Sequence, residues 1–207
     1  MSPRGRSAAG EKRAAILDAA LRLFGRYGYK RTSIDDIASE AQIAKGTVYL
    51  SFKSKEEIFR ALCEDIARRL EDQAQQARDS DAPLADRILA ILEAKFTFAF
   101  EIVRSSPHAA ELMDSKNRLS GGVFERCSRR HQRILREVIE EAAGRGEISP
   151  ERYGLTSAAV VDLLLAGGHG IEHLATSSPM LRRRLAELVR VVLAGVGGGA
   201  AENPVPV

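Results

Sequence analysis

Between positions 45 and 55 the chain reads Lys-Gly-Thr-Val-Tyr-Leu-Ser-Phe-Lys-Ser-Lys. These side chains suit recognition of a nucleic acid. Lys45 has the reach for a base edge or a phosphate. Thr47 and Ser51 can donate to phosphate or pack on a thymine methyl, and Tyr49 offers its hydroxyl to phosphate. Gly46 omits a side chain where a DNA backbone would come close. Lys53 and Lys55 follow the segment and suit phosphate contact. The backbone N–H groups near Thr32 and Ser33, at the start of the preceding helix, provide a second clamp for phosphate.

Other chemistries find less support. The four histidines, His108, His131, His169 and His173, form no metal-ligand pattern. His169 and His173 are four apart, but the Glu that follows the first His in a zinc-protease motif is missing. There is no Gly-rich phosphate loop, no nucleophile elbow and no pair of catalytic carboxylates. Cys63 and Cys127 read as buried thiols, too few for a disulfide framework or a four-cysteine zinc site. The expectation is a protein that is not an enzyme and needs no metal or cofactor.

The elements that position these residues are helical nearly throughout. Ile16, Leu17, Ala20, Leu21 and Phe24 form a helical stripe that Gly28 terminates. Thr32-Ser33 followed by Asp35-Asp36 starts a short helix, with a hydroxyl cap and acids in its first turn. Ile34, Ile37, Ala38, Ile43 and Val48 would lock this helix and the next against the first. That arrangement leaves Lys45, Thr47, Tyr49 and Ser51 pointing outward. Ser54 to Glu57 is a capping box that opens a long helix over 54–77. Further helices are expected over 83–104, 108–116, 122–143, 156–175 and 179–196. The fold class is all-α with about nine helices. A flexible basic arm over 1–10 precedes a helix-turn-helix domain over 11–55. A helical ligand-binding and dimerisation domain follows over 56–196, and a disordered tail over 197–207.

Length and composition agree with this division. The chain has 207 residues, 44% of them hydrophobic, with no Trp and 5% aromatics, so its core must be aliphatic. The net charge of +3 conceals an asymmetry. Residues 1–55 carry eleven Lys and Arg against five Asp and Glu, which is +6, and the remainder is −3. Cations gathered at one end suit an anionic partner. No run of eighteen uncharged apolar residues is present, and the first ten residues lack the apolar segment of a secretory signal. A soluble cytoplasmic protein with no membrane partner is expected.

The runs Thr32-Ser-Ile-Asp-Asp-Ile-Ala-Ser-Glu-Ala and Lys45-Gly-Thr-Val-Tyr-Leu-Ser-Phe-Lys-Ser-Lys-Glu-Glu-Ile-Phe59 resemble the DNA-binding domain of TetR-family transcriptional regulators. The resemblance covers about the first third of the chain. Two departures stand in the motif: Gln42 where the family often has Gly, and Ala44 where it often has a capping Ser. The resemblance implies a homodimer, a palindromic double-stranded DNA operator and a small-molecule effector. A repressor that releases DNA on binding its effector is the expected function. An activator of the same fold is an alternative, as is a helical small-molecule binder with a vestigial DNA domain. Phe96, Phe100, Met113, Phe124, Cys127, His131 and His169 are the candidate effector contacts. Small and aliphatic residues on the last two helices, among them Leu163, Gly167, Ile171, Leu185, Leu188 and Val192, suit a four-helix dimer interface.

Overall fold

The computed structural model describes the backbone of residues 8–105 and 120–197, and side chains over 9–101 and 120–197. Eight α-helices occur among the described residues. They are α1 (Ala8–Tyr27), α2 (Ile34–Glu40), α3 (Lys45–Ser51), α4 (Lys55–Arg78), α5 (Leu84–Ser105), α6 (Val123–Gly144), α7 (Ser157–Leu174) and α8 (Ser178–Val196). The expected helix over 108–116 lies outside the described residues. No described helix is long and apolar enough to cross a membrane.

Packing divides the chain into two compact units. Among the described residues the first comprises 8–68, 102–105 and 120–125, and the second 69–101 and 126–197. This boundary falls within α4, beyond the division at residue 55 expected from the motif. The start of the chain also differs from expectation. Residues 8–10, assigned to a flexible arm, belong to α1, where Ala8 and Ala9 favour helix and Glu11 sits in the first turn.

In the first unit, α1 buries Ile16, Leu17, Ala20 and Phe24. It stops at Gly28, whose φ of 84° lies in the left-handed region and whose N–H bonds the Phe24 carbonyl at 3.0 Å. Ser33 caps α2 in a reciprocal box. Its hydroxyl accepts from the Asp36 N–H at 3.1 Å, and the Asp36 carboxylate accepts from the Ser33 N–H at 2.8 Å. The Ser33 hydroxyl, which donates to the Asp36 carboxylate at 2.7 Å, and then the Ser33 N–H hold that carboxyl below the usual carboxylate range. Phe24, Tyr29 and Phe59 form a ring cluster with centroids 5.1–5.8 Å apart. Val48 and Phe52 are buried, which anchors α3, and the Arg13 guanidinium lies 4.3 Å from the Phe52 ring centroid.

The second unit has an aliphatic core that includes Leu92, Leu135, Val138, Val161, Leu164, Leu181 and Leu185. Gly168 on α7 is required by packing: a Cβ there would stand 2.3 Å from the Phe96 ring. A Cβ at Gly167 would meet Leu188 of the same chain at 2.8 Å. Gly167, one of the small residues expected at a dimer interface, is therefore accounted for within one protomer. Arg78 bridges Glu137 and Glu141, each at 2.8 Å, tying the end of α4 to α6. Ile148 and Gly197 form an isolated antiparallel bridge, so the first residue of the expected tail is paired, and 198–207 lie outside the described residues.

Candidate nucleic-acid interface

The α2–α3 turn orients the reading surface. Gln42 sits at its centre with φ 56°, the one positive-φ residue other than glycine among the described residues. The left-handed region costs an L-residue about 1 kcal/mol, which explains the preference for Gly at this position. Ala44 is the N-cap of α3 and supplies no side-chain hydrogen bond. Both motif departures are therefore located at the joint that presents α3.

Helical phase then decides which α3 residues face outward. With Val48 buried, a turn of 3.6 residues places Gly46 and Leu50 opposite it, with Tyr49 beside them; Phe52, the extended C-cap, is buried too and ends the helix. Tyr49 is 47% exposed and Leu50 is 89% exposed. Thr47 and Ser51, expected to point outward, are only half-exposed flanking residues. Leu50 was missed as a surface residue. Its position two residues from the buried Val48 is the signal that reveals it.

The cations fall into two groups. Lys45 is exposed and pairs with Asp35 at 2.7 Å, which raises its pKa. Lys53 is exposed and its backbone N–H donates to Glu57 at 2.7 Å. Lys55 is different. Its ammonium donates to the Tyr29 and Thr32 carbonyls, each at 2.8 Å, and lies 4.4 Å from the Tyr29 ring centroid. It is a staple between α4 and the α1–α2 loop, with two donors already committed. The Thr32 side chain is buried and donates to the Gly28 carbonyl at 2.9 Å. The Ser33 N–H, expected to clamp phosphate, is occupied by Asp36.

A surface hollow of about 430 Å³ is lined by Lys30, Arg31, Thr32, Ser33, Ile34, Asp35, Lys45, Tyr49 and Lys55. Lys30 and Arg31 are exposed and join the cationic rim. They contributed to the charge asymmetry but were not singled out as contacts. Tyr29 donates to Glu56 at 3.0 Å, and its pKa is pushed up to about 12 by burial and by this carboxylate.

The candidate effector residues are mostly interior. Phe96, Phe100, Cys127 and His131 are buried in the second unit, and Phe124 is buried in the first. Met113 lies outside the described residues. His131 Nδ1–H donates to the Cys127 carbonyl at 2.9 Å, while Nε2 has no hydrogen-bond partner. Burial lowers the His131 pKa and pushes the Cys127 thiol up to about 11. His169 is exposed and packs edge-on against Phe96 with centroids 5.0 Å apart. Lys95 donates to Ser128 at 2.7 Å, and burial lowers its pKa.

Of the candidate interface residues, Leu163 is 51% exposed. Gly167, Ile171, Leu188 and Val192 are half-buried. Leu185 is fully buried in the protomer core, so it has no face for a partner. Leu174 and Val191, on the same two helices, are 73% and 72% exposed.

Three packed helices, with a capped α2 and an α3 that shows solvent a mixed cationic, aromatic and apolar face, define a helix-turn-helix DNA-binding protein. Residues 16–62 match the family model described as bacterial regulatory proteins, tetR family. The uncharacterized HTH-type transcriptional regulator YhgD of Bacillus subtilis (strain 168) is 27% identical over 162 residues, 75% of this chain and 82% of that protein. The HTH-type transcriptional repressor ComR of Escherichia coli (strain K12) is 29% identical over 149 residues, 67% of this chain and 68% of that protein. The fold is shared with the SmeT–triclosan complex, whose protein comes from Stenotrophomonas maltophilia. The TM-score is 0.67 at 23% identity, over 95% of this chain and all of that one. Residues 16–62 are thus a DNA-binding domain of the TetR family, on a chain whose relatives are named helix-turn-helix transcriptional regulators.

Proposed function

We propose that the chain is a homodimeric cytoplasmic repressor. It holds a palindromic operator through α3 and releases it when a small molecule binds the C-terminal helices. The observation that carries the DNA-binding part is the outward face of α3, where Lys45, Gly46, Tyr49 and Leu50 are exposed and Lys45 and Tyr49 line a hollow with Lys30 and Arg31. Two copies of this face, one helical turn or about 34–36 Å apart, match two half-sites. The dimer reading is supported by Leu163, Leu174 and Val191, which leave large apolar surface uncovered on α7 and α8. The repressor and effector readings draw support from ComR, named a repressor, and from SmeT, solved with triclosan.

The mechanism is a population shift. An effector favours a conformer in which α4 changes the separation of the two α3 helices. Turning a mostly bound population into a mostly free one requires about 5.5 kcal/mol of preference between the two states. The test is selection of duplexes from a randomised library by the full chain, followed by gel shift. Enrichment of a palindrome, and its loss with Tyr49→Ala, is expected. Absence of any enriched sequence rejects the operator reading.

A further inference from the structure

We propose that Leu50 reads a thymine 5-methyl group in the major groove, through the gap that Gly46 leaves beside it; the proposal rests on the operator-binding reading above. Leu50 is 89% exposed, above every other large hydrophobic side chain among the described residues. It makes no contribution to the core that would account for an apolar residue at this position. Leu50 stands one helical turn beyond Gly46, on the face opposite the buried Val48. No atom lies within 4 Å of the place a Gly46 Cβ would take, and Gly46 is not in the left-handed region. The fold therefore gives no steric or conformational reason for glycine. An alanine would suit the helix better.

The two features account for one another if an external surface approaches there. The missing Cβ admits it, and the isobutyl group meets something apolar on it. The surroundings favour a polyanion: Lys45, paired with Asp35, adjoins Gly46 on α3, and Lys45 and Tyr49 line one hollow with Lys30 and Arg31. An apolar contact framed by phosphates is what a thymine methyl in the major groove offers. Among the base edges there, the methyl is the apolar group. Half-exposed Thr47 and Ser51 are less favourably placed for this contact. A second copy of the chain would meet like charge at this rim, which argues against self-association through α3.

The test uses duplexes enriched by the full-length protein. Each thymine of a half-site is replaced in turn by deoxyuridine, which lacks only the 5-methyl. Binding is measured for the native protein and for Leu50→Ala. One thymine per half-site is expected to lose about fourfold in affinity on replacement with the native protein, the value of one buried methyl. The same replacement should cost Leu50→Ala nothing, while its thermal midpoint stays unchanged or rises. Equal losses in the two proteins at every thymine, or no loss at any, would overturn the role of Leu50 and leave operator binding intact. A native protein that enriches no sequence would overturn both.

Discussion

Replacing Gly46 by alanine should stabilise the free protein and weaken its complex with DNA. Gly46 lies in the first turn of α3 and is exposed. The space for a Cβ is open to 4 Å, and the backbone does not occupy the left-handed region. The methyl therefore clashes with nothing in the protomer. Relative to glycine, alanine gains up to about 1 kcal/mol of helix propensity. For a chain of this length that corresponds to a rise of about 2–4 °C in Tm. On DNA the same methyl enters a surface already in contact. Overpacking of that kind costs about 1–3 kcal/mol per site, or roughly five- to 150-fold in affinity. Calorimetry and gel shift on one preparation separate the two effects. A higher Tm with unchanged operator affinity would refute the contact at Gly46. A lower Tm would refute the premise that the fold does not need glycine there.

Three further outcomes follow from named contacts. Gln42→Gly should relieve the positive φ, and Ala44→Ser should cap α3. Each is expected to raise stability by about 1 kcal/mol in urea titration. Lys53 and Lys55 should separate by assay. Lys53→Ala is expected to keep stability while lowering the salt slope of DNA binding by about one ion. Lys55→Ala is expected to lose about 1.5–3 kcal/mol of stability without DNA, because two carbonyls lose a charged donor. Burial pushes the Cys63 thiol up to about 12 and the Cys127 thiol up to about 11, from an ordinary 9.0. The unfolded thiols ionise first, so stability holds below pH 9 and falls as pH rises above it. Urea midpoints at about pH 8 and about pH 10 check the sign, and a Cys127→Ala variant should show a shallower fall.

Much of this fold was legible along the chain because its signals are local. Gly28 as a helix stop and Ser33 as a cap depend on residues a few positions apart, and both are present; of the Ser54–Glu57 box only the Ser54 cap forms, because the Glu57 carboxylate accepts from the Lys53 N–H instead. The aliphatic stripes likewise marked the long helices to within a few residues. The candidate site was less legible. Alternate residues 45, 47, 49 and 51 were expected to face out, but the exposed residues of α3 are 45, 46, 49 and 50. The anchor for that phase is burial of Val48, a fact of packing among several helices.

The same limit applied wherever a side chain had more than one use. The runs at 32–41 and 45–59 carried the resemblance to a family of DNA-binding regulators, since charge, caps and motif spacing are local properties of the chain. They did not separate Lys53, which faces solvent, from Lys55, which is spent on two carbonyls from a distant loop. They did not show that Leu185 is core while Leu174 and Val191 are surface. They did not show that Gly167 and Gly168 make room for Leu188 and Phe96 of their own protomer. Each of those assignments depends on which distant segment fills the adjacent space. Local sequence specifies a helix and its faces, whereas packing in three dimensions selects the partner of each face and leaves Leu50 without one.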